Sequence, residues 1–321
     1  MAEKTKEYLD NIVLSEDAFT PLSKEEKDID AIVRPSVGYW KDAWRRLKSN
    51  KVALISLIII ILVILAAVFV PSFSKFAYDE NNLEIVNQSP SATHWFGTDH
   101  LGRDILVRVM YGARYSLIIG ISAAVINIII GVIYGAISGF AGGRIDNFMM
   151  RIVDVLYSIP LTIYVIIFMS IFMKPGEGKS GLGTIVLSLC ISYWINMARI
   201  VRGEVLQLKQ QEFVLAAKAL GASKIRILFR HLIPNCISSI IVTMTLLIPQ
   251  AIFTEAFLGF IGLGINPPLA SLGTLANDAQ KVLTIYPYQL LFPSLMICII
   301  ILAFNLFGDG LTEALDPKNK R

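Results

Sequence analysis

Few residues in this sequence stand at spacings that could carry chemistry. Gly178-Lys179-Ser180 offers the tail of a phosphate-binding loop, but that loop needs a glycine five positions before Gly178, where Met173 stands, and a strand before it, which is missing. His94 and His100 lie in one glycine-containing stretch, yet a metal site needs three or four ligands of defined geometry. Cys190, Cys236 and Cys298 fall inside or at the edge of apolar runs, far apart, and read as small hydrophobes. No nucleophile has a base with local support, and no polar catalytic cluster interrupts an apolar run. Two features remain. Glu255 is a carboxylate within an apolar run, where an ionisable group faces a cavity or a partner, or is held as a hydrogen-bonded packing residue. Asp99, Arg103, Asp104 and Arg108, between and beyond the turn-forming Gly97 and Gly102, can pair to hold an irregular loop. Such a set gives this chain no means of hydrolysing ATP and no covalent chemistry.

The elements that carry these residues are membrane spans. Of 321 residues, 55% are hydrophobic and 17% charged, outside the ordinary soluble range. The net charge of +4 forms no stripe for nucleic acid. Apolar runs cover about 52–70, 116–140, 153–173, 184–201, 237–262 and 288–308, each long enough for a crossing of about 20 residues. The expected fold is therefore all-α, a polytopic membrane protein with six transmembrane helices. Gly131, Gly135 and Gly139 form a small-x-x-x-small ladder for close helix approach, and Pro160 is expected to kink the third span. Residues 1–51 read as an N-terminal extension. It holds a capping-box signature, Ser23 with Glu26, and a segment where Trp40, Ala43, Trp44 and Leu47 oppose Lys41, Arg45, Arg46 and Lys48, the pattern of a helix lying in the headgroup layer against lipid. Residues 52–321 form the spanning domain, with outer loops over 71–115 and 263–287. The basic residues around 199–230, with Lys318, Lys320 and Arg321, put the 202–236 loop and both termini on the cytoplasmic side.

That loop is polar, basic and helix-forming. Phe213, Ala216, Ala217 and Leu220 share one face of a first short helix, Gly221 suits a left-handed cap, and Ser223 can start a second helix with Ile225, Leu228, Phe229 and Leu232 on its apolar face and Pro234 at its end. The result is a two-helix knob, small-sided at the bend, that another protein could grip.

The knob resembles the coupling loop of binding-protein-dependent ABC importer permeases, whose pattern is Glu-Ala-Ala, three residues, Gly, nine residues, Ile, one residue, Leu-Pro. Ala216, Ala217, Gly221 and Pro234 match in register, while Leu215 replaces the glutamate and His231 the isoleucine. Phe96-Gly97-Thr98-Asp99, Gly102-Arg103-Asp104 and Tyr111-Gly112-Ala113-Arg114 are similar to the stretch before the second span of the peptide and nickel branch. The passage from Thr254 to Pro268, and the ending from Asp309 to Asp316, are similar to that branch as well. The likeness is to its second permease subunit and runs from about Trp44 to Asp316.

This resemblance implies the type I importer permease fold in the bacterial plasma membrane, paired with a homologous permease, two cytoplasmic ATPases and an extracellular substrate-binding protein. ATP and magnesium would be held by the ATPases, with no cofactor or metal on this chain. Glu212, Leu215, Ala216, Ala217, Lys218, Gly221, Lys224, Arg226 and Pro234 would form the ATPase-coupling loop. Glu255, Asn266, Pro267 and Pro268 would belong to the translocation path or outer gate, and Asp99, Arg103 and Asp104 to an outer-loop network. Oligopeptides, dipeptides and nickel complexes all stay open as cargo. The alternative, an ion-coupled secondary transporter or channel acting without ATPases, would instead show inverted repeats or discontinuous helices with charged residues at mid-membrane.

Overall fold

The computed structural model describes residues 38–172 and 181–315. The Ser23–Glu26 signature, Met173, Gly178-Lys179-Ser180, Asp316, Lys318, Lys320 and Arg321 lie outside them. The chain divides into two compact units, 1–42 and 43–321. Among the described residues the structure is helical, with a lone bridge between Thr98 and Asp104 and no strand. The helices, numbered along the described chain, are α1 Tyr39–Ser49, α2 Lys51–Phe73, α3 Ile105–Ala141, α4 Gly143–Ser158, α5 Leu161–Phe172, α6 Leu182–Leu208, α7 Glu212–Ala219, α8 Lys224–Ile227, α9 Ile233–Asn235, α10 Ile237–Phe260, α11 Leu272–Gln280 and α12 Tyr288–Leu315.

Five helices, α2, α3, α6, α10 and α12, are long and apolar enough to cross a membrane. The sixth expected crossing is not a single kinked helix over 153–173. Its first residues end α4, and α4 and α5 meet at an angle of 82°. Pro160 is the cause: it disfavours the helical region for the residue before it, and Ile159 is extended at φ −89°, ψ 122°. The 12 residues of α5 rise only about 18 Å, short of a bilayer core of roughly 30 Å. Counted as one broken span, α4 and α5 complete six crossings.

Other boundaries move because charges inside a helix found partners. α3 starts at Ile105, well before the apolar run, since Asp104 caps it by accepting a hydrogen bond from the Val107 amide at 2.9 Å. The Arg114 guanidinium is absorbed by the Ala67 and Val68 carbonyls of α2, at 3.0 and 2.8 Å. α12 runs on to Leu315, through the stretch expected as a short ending. Asn50 caps α2 and reaches Glu313 at 3.1 Å, which ties the first described span to the last.

The spans pack on α3. Ile119, Ala123, Ile185, Leu189, Leu247, Ile252 and Ile300 belong to one buried cluster drawn from α3, α6, α10 and α12. The glycine ladder faces α6 at backbone distance. A methyl group at Gly135 would stand 2.3 Å from the Ala198 carbonyl, and one at Gly131 2.6 Å from Met197 Cβ. Leu62, Leu65, Ile129, Ile133, Ile166 and Leu302 stay exposed, as surfaces bathed in lipid require.

Candidate functional site

The 211–236 segment is built by local rules. α7 ends in a Schellman motif: Gly221 adopts φ +78°, its amide donates to the Lys218 carbonyl at 3.0 Å, and the Ala222 amide donates to Ala217 at 3.0 Å. Ser223 caps α8 by accepting from the Arg226 amide at 3.3 Å. Pro234 does not stop the second helix. A π turn over Leu228–Leu232 precedes it, and the path continues through α9 into α10. Proline lacks an N–H and its ring crowds the carbonyl four residues back, a demand that the wider turn relieves.

Burial divides this knob into a footing and a free face. Val214, Ile227, Leu228, Leu232 and Cys236 are buried against Ala136 of α3 and Met197, Val201 and Val205 of α6. The expected stripe lies largely on the free face. Phe213 and Ala216 are exposed, Ala217 is half-buried, and Leu220 is 88% exposed. The second apolar face splits: Leu228 and Leu232 go in, whereas Ile225 and Phe229 are 72% and 55% exposed. Ile227 and Leu232, five apart, share the inner face because the π turn rotates the register. Glu212, Leu215, Lys218, Gly221, Lys224, Arg226 and Pro234 are all exposed.

The 74–104 loop is held by its charges. Asp99 accepts from the Leu101 and Arg103 amides at 2.8 and 3.0 Å and from Arg103 Nε at 2.7 Å, with Arg108 Nε at 3.4 Å. Asp104 pairs with His94 Nδ1 at 2.8 Å. Gln289 of α12 donates to Asn87 Oδ1 and to the Thr98 carbonyl, and Phe96 stacks on Phe292 at 3.9 Å, so the loop is fastened to a span. Gly102 is required there, since a Cβ would lie 1.7 Å from the Asn82 carbonyl. His100 lines a small, mainly apolar pocket that also takes in Asp99, Arg108 and Asp278. Among the described residues no group of three His, Cys, Asp or Glu side chains could hold a metal ion.

Glu255 is fully buried where α10, α3 and α11 meet. It accepts from Ser116 Oγ at 2.7 Å, and the Leu272 amide approaches the same Oγ at 3.4 Å. Asn266, Pro267 and Pro268 stand on an exposed loop, whereas Glu255 is enclosed.

Sequence reasoning missed a further cluster. Asp146 of α4, 5% exposed, receives both Arg202 Nε and Nη2 at 2.6 Å and Ser138 Oγ at 2.6 Å, while Lys209 Nζ donates to the Gly139 carbonyl at 2.9 Å. Partners 56 residues apart leave no periodic signal. The only hint was charges placed at the ends of apolar runs.

The described residues thus form a helical bundle of membrane spans that carries a footed knob with an exposed apolar face. The chain belongs to the family described as the binding-protein-dependent transport system inner membrane component, which matches residues 127–321. Residues 38–90 match the N-terminal TM domain of oligopeptide transport permease C. The chain is 52% identical over 303 residues to the oligopeptide transport system permease protein OppC of Bacillus subtilis, covering 94% of this chain and 97% of that one. It is 48% identical to the dipeptide transport system permease protein DppC of the same organism, covering 93% and 92%. Among solved structures, the inward-facing MetNI methionine ABC transporter aligns with a TM-score of 0.52 at 19% identity, over 65% of this chain and 96% of that one, a likeness of fold.

Proposed function

We propose that this chain is a permease subunit of an ATP-driven importer of oligopeptides or dipeptides, forming half of the translocation path and taking its energy from ATPases docked on the knob. The observation that carries this reading is the exposed apolar face of Leu215, Leu220, Ile225 and Phe229, held on a footing shared by α3 and α6, in a chain about half identical to relatives named for peptide transport. A free apolar patch rimmed by Lys218, Lys224 and Arg226 suits burial against a partner protein.

In this reading the partners are a homologous permease, two ATPases that hold ATP and magnesium, and a substrate-binding protein on the far side. The chain itself is non-catalytic and carries no cofactor. The knob and both termini lie in the cytoplasm, 1–51 is an extension with its helix in the headgroup layer, and 52–321 is the permease domain. Asn266, Pro267 and Pro268 belong to the outer mouth, and the loop fastened by Asp99, Arg103 and Asp104 shapes it. ATP-driven closure of the ATPases moves the knob as a body, and with it the ends of α3 and α6.

The test is purification of the assembled complex from its own membrane with Leu220→Glu and Ile225→Glu variants beside the wild type, followed by uptake of labelled peptides. Wild-type protein brings down two ATPases and a second permease, and each charged variant keeps the permease partner but loses the ATPases. Full ATPase recovery with both variants would refute docking at this face.

A further inference from the structure

We propose that the Asp146–Arg202 pair is the joint through which the knob's displacement reaches the broken helix α4–α5, making both side chains positioning residues for coupled transport. This rests on the importer reading.

The mechanical problem is set by attachment. α6 runs to Leu208 and enters α7 three residues later, so a push on the knob arrives directly at the end of α6. α3 follows because its backbone is seated on α6: methyl groups at Gly131, Gly135 and Gly139 would stand 2.6, 2.3 and 2.8 Å from α6 atoms, which leaves no room to slide. Val214, Ile227 and Leu232 fill the remaining space between the knob and this pair. Knob, α3 and α6 thus move together.

α4 is attached differently. Only Asp146 and Val153 are buried along it, while Ile145, Phe148, Ile152, Val155 and Tyr157 are exposed. Midway along α4, Val153 with the half-buried Met150 and Leu156 packs on Trp194, Ile195 and Ala198 of α6 and on Tyr134 of α3, whose hydroxyl donates to the Met149 carbonyl at 2.8 Å. At the end of α4 nearest the knob the attachment is polar. Both Asp146 oxygens are occupied by the Arg202 fork at 2.6 Å, and Ser138 of α3 adds a third bond at 2.6 Å. One carboxylate therefore joins α3, α4 and α6. A bidentate pair is directional, resisting rotation as well as separation, whereas a greasy contact permits slip. The Arg199–Asp154 pair farther along the same helices is a single bond at 2.9 Å to an exposed carboxylate, with Arg199 half-buried over the Tyr157 ring at 4.6 Å, so it lacks the directional fork of Arg202. Beyond Pro160 the motion passes to α5, the short arm of the bent element.

The experiment uses the assembled complex in proteoliposomes with its substrate-binding protein and a labelled tripeptide, measuring ATP hydrolysed per peptide taken up. Asp146→Asn, which keeps the volume and removes the charge, is expected to raise that ratio about fivefold or more, the lower range of an ordinary coupling energy. Arg202→Lys keeps the charge but loses the fork, and falls between. Arg199→Ala stays at the wild-type ratio. A packing role alone would lower the yield of complex without moving the ratio, so an assembled Asp146→Asn complex that couples normally overturns the proposal. Should Asp146→Asn fail to assemble, an unchanged ratio in Arg202→Lys overturns it instead. Wild-type complex that hydrolyses ATP without peptide uptake sinks the importer reading rather than the joint.

Discussion

Gly221 offers a sharp test because two explanations of its presence rank Asn and Ala in opposite order. As a glycine at the bend of a docking knob, it could be needed for lack of bulk or for its backbone. The structure separates these: a Cβ at Gly221 would meet nothing within 4 Å, but the residue sits at φ +78°. Placing an ordinary L-residue there costs roughly 1–2 kcal/mol. Such a penalty is a factor of about 5–30 in the population of the closed cap. The bonds at risk are Gly221 N–H to Lys218 and Ala222 N–H to Ala217, which fix the direction in which the chain leaves α7. Their loss releases α8 from α7 without touching the footing at Val214 and Ile227. Asparagine tolerates the left-handed region better than alanine, and a β-branched residue there is a severe outlier. The expected order of ATPase recovery and of coupled uptake is therefore Gly, Asn, Ala, Val. Recovery that declines with side-chain size, so that Gly221→Ala outperforms Gly221→Asn, would refute the backbone argument and make contact with the partner decisive.

Two further perturbations test the scaffold. Asp99→Ala removes the carboxylate nearest Arg108, which is only 5% exposed, leaving that guanidinium the Tyr78 carbonyl at 3.1 Å and the charges of Asp278 and Asp79; losing the partner of a buried charge costs up to about 3–5 kcal/mol, so the thermal midpoint in detergent should fall, and an unchanged midpoint would show the pair to be solvated. Gly135→Ala forces a methyl onto the Ala198 carbonyl and is expected to destabilise by about 1–3 kcal/mol or more, whereas Gly183→Ala, with open space around it, is expected to be neutral or mildly stabilising; equal melting of the two variants would mean that the α3–α6 seam is looser than its geometry.

What was legible in the sequence followed from interactions between near neighbours. Gly221 and Ser223 announce a cap and a start because capping is completed within a few residues. The interiors of α2, α10 and α12 are apolar runs and were readable as such. Helix ends were misjudged wherever a charge is neutralised by a distant group, as Arg114 is by α2, since hydropathy counts the charge and not its partner. The third span was misjudged because its apolar run crosses a break: composition is continuous through Ser158, Ile159 and Pro160, but the backbone turns by 82°. Which face of the knob stays free was not legible for a related reason. Periodicity shows that one side is apolar, but which apolar residues find a footing depends on Ala136, Val201 and Val205, remote in sequence.

Glu255 shows how burial changes the meaning of a residue that composition alone marks as functional. A carboxylate in a span invites a role along the path. Here it is wholly enclosed, and through Ser116 it gathers α10, α3 and the start of α11 at one point. The same point is close-packed by glycine: methyl groups at Gly112 and Gly273 would lie 3.1 Å from the Ser271 carbonyl carbon and 2.2 Å from the Ala256 carbonyl oxygen. Opening Glu255 to a path would pull apart that close-packed junction and the Ser116 hydrogen bond with it, so the cost of opening lies in lost packing. The α4–α5 element has the opposite character, with few buried residues, a break at Pro160 and a polar attachment concentrated at Asp146. Bistable motion belongs where packing is sparse and attachment is directional. In the proposed coupling, the hub around Glu255 is the part against which α4 and α5 would move.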